Sequence, residues 1–172
     1  SPFNLAYDLE HRLMAQEAVP PKGYLLAGML QDGYDTNTGD YLLYNSLAAM
    51  DYFGQIHDIY SKNHLVPFGE YIPLRRYLPK WIKPLTNMIG QFGKGEKYQT
   101  LKLDGYAEFA PLICYEVIFS GQIVRRQNKP KWAVVLTNDG WYGISAGPYQ
   151  HLVAAQIDHK FPTTPKFAAT VD

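Results

Sequence analysis

The stretch Phe109-Ala110-Pro111-Leu112-Ile113-Cys114-Tyr115-Glu116 constrains this chain more than any other. An apolar run of strand length stops on the only cysteine of the sequence, two polar residues follow, and a second apolar run, Val117-Ile118-Phe119, begins at once. That change of pattern is expected where a strand delivers a residue to the start of a helix. A thiol at such a junction lies near unsatisfied backbone N–H groups and the positive end of the helix dipole, both of which favour thiolate. A lone cysteine also serves as a small buried hydrophobe, so this stretch by itself leaves a nucleophile and a core residue both open.

The 172 residues suffice for one sizeable core and do not require two. Hydrophobic residues make up 47% and charged residues 19%, the balance of a chain that folds. Sixteen basic residues offset sixteen acidic ones, and no Lys/Arg cluster exceeds a pair such as Arg75-Arg76 or Arg125-Arg126, so the electrostatic footprint of a nucleic-acid binder is missing. No apolar run approaches the roughly 18 to 20 residues needed to span a bilayer as a helix. The five histidines are scattered and there is no second cysteine, which argues against a metal site; no cofactor is expected.

Along the chain, Leu5, Leu9 and Leu13 recur every four positions and predict a helix over residues 3–18, closed by Pro20-Pro21. Residues 24–30 form a continuous apolar run of the kind buried on both faces, and residues 41–49 form a second strand. After a turn at Asp51-Gly54, residues 55–60 alternate as a third strand of a meander. Residues 62–73 hold two prolines and a glycine and read as a loop of fixed geometry. Residues 74–97, apolar and punctuated by Gly90, Gly93 and Gly95, read as a surface excursion suited to a lid or to short packed helices. Strands at 98–103 and 106–113 are expected to pair as a hairpin through Asp104-Gly105. A short helix over 115–127, a buried strand at 132–137, a polar turn at 138–143 and a helix over 148–159 complete the pattern, whereas residues 161–172 look like neither strand nor helix.

A reactive thiol needs a group to take its proton and a cation or N–H pair to hold the developing oxyanion. None of the histidines has a protease-like context, and His64, in the rigid loop, suits a hydrogen-bonded structural role. Lys62 enters that loop directly from a strand, which fixes its backbone and makes its ammonium a candidate for the oxyanion. Glu70 and Glu116 each lie in tightly restricted local sequence. Taken one at a time, all three are also compatible with solvated surface charges.

Three motifs together carry a resemblance: Lys62-Asn63-His64-Leu65-Val66-Pro67-Phe68-Gly69-Glu70-Tyr71-Ile72-Pro73, then Ile113-Cys114-Tyr115-Glu116, then Thr137-Asn138-Asp139-Gly140-Trp141-Tyr142-Gly143 followed by Gln150-His151. In order and spacing they resemble the apolipoprotein N-acyltransferases, a membrane-embedded branch of the nitrilase, or carbon-nitrogen hydrolase, superfamily. The resemblance implies an α/β fold, a nitrilase-like α-β-β-α sandwich incomplete at both ends. It also implies a catalytic domain facing the periplasm, carried at the bacterial inner membrane by transmembrane helices that this chain does not include. Position by position, Cys114 matches the nucleophile, Lys62 the lysine that stabilises the oxyanion, and Glu70 a second glutamate needed for activity. Tyr115 and Glu116 match residues that shape or support the substrate site, as do Trp141 and Tyr142. The implied partners are a phospholipid acyl donor and an apolipoprotein bearing S-diacylglyceryl-cysteine. The implied chemistry passes the acyl chain through a cysteine thioester to the N-terminal amine.

The chain opens on Ser1-Pro2 without Met, which implies a longer parent, and the family's general-base glutamate is expected just upstream of it. The resemblance runs to about Gln156, giving a partial catalytic domain over 1–156 and a divergent tail over 157–172, as from a truncated or frameshifted gene. Two other readings stay open at this point: a soluble carbon-nitrogen hydrolase of amidase or nitrilase type, and a non-catalytic remnant. Because the base is expected outside the chain, residues 1–172 alone are expected to show no acyl transfer.

Overall fold

The computed structural model describes residues 5–36, 38–73, 77, 91–119, 130–137, 147, 149–150, 153 and 166–170. Helix α1 (Leu9–Gln16) is shorter than the helix expected over 3–18. Asp8 caps it by accepting the His11 N–H at 3.2 Å, and the His11 ring nitrogen also meets the Asp8 carboxylate. Leu5, the first member of the leucine series, lies ahead of the helix and packs on Met29 and Ala48. Leu9 and Leu13, 57% and 53% exposed, do not form the buried stripe their spacing suggests.

Strands β1 (Tyr24–Tyr34), β2 (Tyr41–Asp51) and β3 (Ile56–Ser61) form an antiparallel meander in that order. The β1–β2 register runs unbroken from Tyr24 opposite Asp51 to Tyr34 opposite Tyr41. Gly39, at φ 73°, turns the chain beside Asp35, which accepts the Thr38 N–H at 3.0 Å. At the second turn the Asp51 carboxylate accepts the N–H groups of Phe53 and Gln55 at 2.8 and 2.9 Å, and Gly54 adopts φ 75°. β1 departs from expectation in its burial. Its apolar run suggested cover on both faces, but the strand lies at the sheet's edge and only Met29 is fully buried.

The second sheet is parallel, with β5 (Trp132–Thr137) between β4 (Phe109–Ile113) and β6 (Lys166–Thr170). β6 corrects the expectation that residues 161–172 contain no strand. Its backbone satisfies the hydrogen-bonding edge of β5 from Ala133 to Thr137, a tertiary demand that local pattern does not display. The expected hairpin through Asp104-Gly105 is likewise reduced. The turn forms, with Gly105 at φ 82° and the Tyr106 N–H on the Leu103 carbonyl at 3.0 Å. Only Leu101 and Phe109 then pair across it, and from Phe109 onward the chain also runs parallel to β5.

The two sheets share one core. Leu47, Ala49 and Tyr60 of the meander meet Phe109, Ile113 and Val134 of the parallel sheet, with Leu101 and Leu103 between them. The opposite face of the parallel sheet presents Ala110, Leu112, Ala133 and Val135 to Val117, just after Cys114. Strand periodicity of two makes both assignments. The result is an α/β arrangement with sheet packed on sheet and helical segments outside. Among the described residues no helix is long and apolar enough to cross a membrane.

Where β3 ends, residues 91–95 take over beside β2. The Leu43 N–H donates to the Gln91 carbonyl at 2.9 Å and the Gly93 N–H to the Leu43 carbonyl at 2.8 Å. Phe92 is buried and Gly93 lies against the Tyr44 ring, so this end of the expected excursion is anchored in the fold. Residues 74–76 and 78–90 lie outside the described set. Gly95 comes closest of all: its N–H donates to the Lys62 carbonyl at 2.8 Å, and a Cβ there would overlap the Ser61 carbonyl. Because that obstacle is backbone on a paired strand, Gly95→Ala is expected to destabilise the protein by about 2–3 kcal/mol, read as a lower denaturant midpoint. A midpoint equal to that of the native protein would show that the two segments part easily.

Candidate active site

Lys62 stands one residue beyond β3, and both its backbone polar groups are held. Its N–H donates to the Asn45 carbonyl at 2.8 Å, continuing the β2–β3 pairing, and its C=O accepts from Gly95. Its side chain is 1% exposed, and Nζ lies 2.8 Å from each Glu70 oxygen. A buried ammonium requires such a partner. Among the described residues Glu70 engages two of its three N–H donors, so one can serve another acceptor.

Glu70 is positioned by the loop that the prolines and glycine of residues 62–73 predict. Its Oε2 also accepts the Val66 N–H at 2.8 Å, while its own N–H returns to the Val66 carbonyl at 2.8 Å. Pro67 and Tyr71 bridge the loop base, and Phe68 sits in the left-handed region at φ 61°. The carboxylate therefore reaches Lys62 from a loop closed on itself.

Cys114 terminates β4 and opens a 3-10 segment, Cys114–Phe119. Within the described residues this replaces the α-helix expected over 115–127; residues 120–127 lie outside them. Cys114 itself takes φ 50°, a left-handed conformation that costs a non-glycine residue about 1–2 kcal/mol. Sharp, strained junctions of this kind expose a side chain at the end of a sheet. The residue is partly exposed and packs against the shared core.

Glu116 joins these parts. Its side chain is completely buried. Oε1 accepts the N–H groups of Asn63 and His64 at 2.8 and 2.9 Å and the Tyr60 hydroxyl at 3.0 Å. Oε2 accepts the Ile113 N–H at 2.9 Å. One carboxylate thus grips the backbone immediately after Lys62 and immediately before Cys114. With its oxygens occupied in this way, Glu116 supports the site from within rather than lining a pocket. Burial raises its carboxyl above the usual carboxylate range, and the hydrogen bonds from His64, Ile113, Asn63 and Tyr60 offset part of that rise.

A second connection between loop and 3-10 segment is aromatic. The His64 ring stacks on Phe119 at 4.1 Å, Tyr115 meets Phe119 edge-on at 5.4 Å, and His64 Nδ1 is hydrogen-bonded to the Tyr98 hydroxyl at 3.3 Å. Burial, followed by the charges of Lys94 and Lys62, lowers the His64 pKa, which keeps the ring neutral at neutral pH. Trp141 and Tyr142 lie outside the described residues. Sequence reasoning passed over Tyr60, Asn63 and Gly95. Strand alternation could have found Tyr60, two positions before Lys62, but nothing local marks Asn63 or Gly95.

Glu116→Ala would leave three backbone N–H groups and a phenol without their acceptor, so a loss on the order of 3 kcal/mol is expected, measured by denaturant unfolding. The pH dependence has a definite sign. With its folded pKa above the ordinary 4.5, Glu116 retains in the folded state a proton that the unfolded chain has released. Its contribution to stability therefore falls as pH rises from that ordinary value through the raised one, and is constant beyond. The neutral Glu116→Gln variant should lack this component; an unchanged pH slope in that variant would assign the titration elsewhere.

The chain and its fold are similar to those of known proteins. Residues 10–165 match the carbon-nitrogen hydrolase family. The apolipoprotein N-acyltransferase of Bradyrhizobium diazoefficiens is 38% identical over 158 residues, which cover 91% of this chain and 29% of the relative. That of Rhodopseudomonas palustris is 39% identical over 159 residues, covering 91% and 30%. The chain therefore spans just under a third of the length of the curated relatives it matches. The crystal structure of a carbon-nitrogen hydrolase from Helicobacter pylori superposes with a TM-score of 0.57 at 12% identity, covering 96% of this chain and 52% of that one, a likeness of fold. With more than half of its length matched and the sheet-on-sheet core in place, the chain belongs to the carbon-nitrogen hydrolase family.

Proposed function

We propose that this chain is part of the catalytic domain of a lipoprotein N-acyltransferase, with Cys114 as the acyl-carrying nucleophile. The observation that carries the proposal is the Glu116 clamp, which ties the buried Lys62–Glu70 pair and the strained cysteine into one unit. Identity of 38–39% to relatives named apolipoprotein N-acyltransferase supports the choice of reaction.

In the first half-reaction the sulfur attacks an ester carbonyl of a phospholipid. A C–S bond forms, the ester C–O bond breaks, and the proton that leaves the thiol ends on the departing lysophospholipid hydroxyl. In the second, the N-terminal amine of an S-diacylglyceryl-cysteine attacks the thioester. A C–N bond forms, the C–S bond breaks, and a proton from the amine restores the thiol. Each half passes through a tetrahedral oxyanion, beside which the remaining Lys62 N–H would act. Glu70 holds that ammonium in place, Glu116 fixes both backbones, and Tyr115 supports the site through its packing on Phe119 and its neighbour His64. Trp141 and Tyr142 are assigned supporting roles by their motif alone. The site faces the periplasm at the inner membrane in this proposal, where both the donor and the lipidated acceptor are found.

The test uses the full-length parent incubated with phospholipid and analysed by intact and peptide mass spectrometry. An acyl adduct on Cys114 that disappears when a diacylated lipopeptide with a free N-terminal amine is added is the expected result. Cys114→Ala should form no adduct, and Lys62→Met should slow adduct formation by roughly 100-fold or more. Absence of the adduct from the native enzyme, with the lipopeptide also left unmodified, would remove the acyl-transfer assignment.

A further inference from the structure

Of the four donors on Glu116, three are backbone amides and the fourth is the phenol of Tyr60. Tyr60 is 1% exposed, inside the core between the two sheets, and faces Leu47 across the β2–β3 pair. It stands two positions before Lys62. Burial, followed by the neighbouring Glu116 charge, pushes its hydroxyl far above the usual phenol range, so it remains a donor at any pH at which the site operates.

Oε1 serves both Asn63 and His64, while Oε2 alone serves Ile113. A rotation of the carboxylate that favoured one set of amides would strain the other. The phenol adds a third donor to Oε1 from within the paired strand β3, and so restricts that rotation. We infer that Tyr60 is a positioning residue, whose hydroxyl holds the Glu116 carboxylate in the one orientation that fixes the Lys62 and Cys114 backbones together. This rests on Cys114 being the nucleophile, and it gives Tyr60 a part in the reaction that passes through Glu116.

Tyr60→Phe keeps the ring and removes only the donor, which makes it the informative variant. In the full-length enzyme, the rate of Cys114 alkylation by iodoacetamide is compared at one neutral pH among the native protein, Tyr60→Phe, Glu116→Gln and the double variant. Tyr60→Phe is expected to change that rate, and to lower kcat for acyl transfer with KM little altered, by about tenfold, the scale of one hydrogen bond to a charged group. In the Glu116→Gln background the same substitution is expected to change nothing further, because its effect passes through the carboxylate. A native alkylation rate in Tyr60→Phe, or an effect of equal size in both backgrounds, would overturn the inference. Should Glu116→Gln fail to fold, Tyr60→Phe alone decides. A changed rate with an unchanged melting midpoint supports the role; a native rate, or a change seen only alongside a lowered midpoint, refutes it. A native enzyme that alkylates at Cys114 yet forms no acyl adduct would remove the proposed reaction and leave this comparison intact.

Discussion

A carboxylate cannot be taken wholly out of water unless protein donors replace the hydration it loses, and Glu116 meets that condition with four of them. The donors do not come from its own neighbourhood alone. Asn63 and His64 lie 53 and 52 positions away in sequence, and Ile113 lies three positions back. Burial of this one charge is therefore possible only when the end of the antiparallel meander and the end of the parallel strand β4 are side by side. The same condition that keeps the charge solvated by protein assembles the site.

The placement of Lys62 and Cys114 follows from that arrangement. Lys62 is fixed at its N–H by β2, at its carbonyl by Gly95 and at its ammonium by Glu70. Cys114 is held in a left-handed conformation by the β4–β5 pairing up to Ile113 and by Glu116 folding back onto the Ile113 N–H. Strain at such a position persists only where the surroundings over-determine it. A thiol and an ammonium placed by backbone, rather than by flexible side chains reaching inward, lose little entropy on meeting a substrate.

Much of this was legible in the sequence, and the boundary between legible and hidden is physical. Apolar runs at 41–49, 55–60 and 132–137 became strands close to the expected limits, the first two joined by a turn that Asp51 and Gly54 form locally. The loop at 62–73 was marked by its prolines, and Lys62, Glu70 and Cys114 by motif. What stayed hidden depends on partners distant in sequence. β6 exists because β5 has an edge to satisfy, and the hairpin at 98–113 is reduced to the single Leu101–Phe109 bridge. Glu116 was placed among the site residues, yet its work as an internal clamp appears only when Tyr60, Asn63 and His64 are brought to it. Gly95 is one of fourteen glycines in the chain, and no local feature distinguishes the one pressed against Ser61.

Coupling of the lysine and cysteine segments by one buried carboxylate can be read from amide hydrogen exchange at Asn63, His64 and Ile113. In the native protein the three amides should exchange slowly and, because they share an acceptor, should lose protection together when Glu116 is replaced by Gln, while β2 and β5 amides remain protected. Exchange at Ile113 that is independent of exchange at Asn63 and His64, or protection that survives the substitution, would contradict the account.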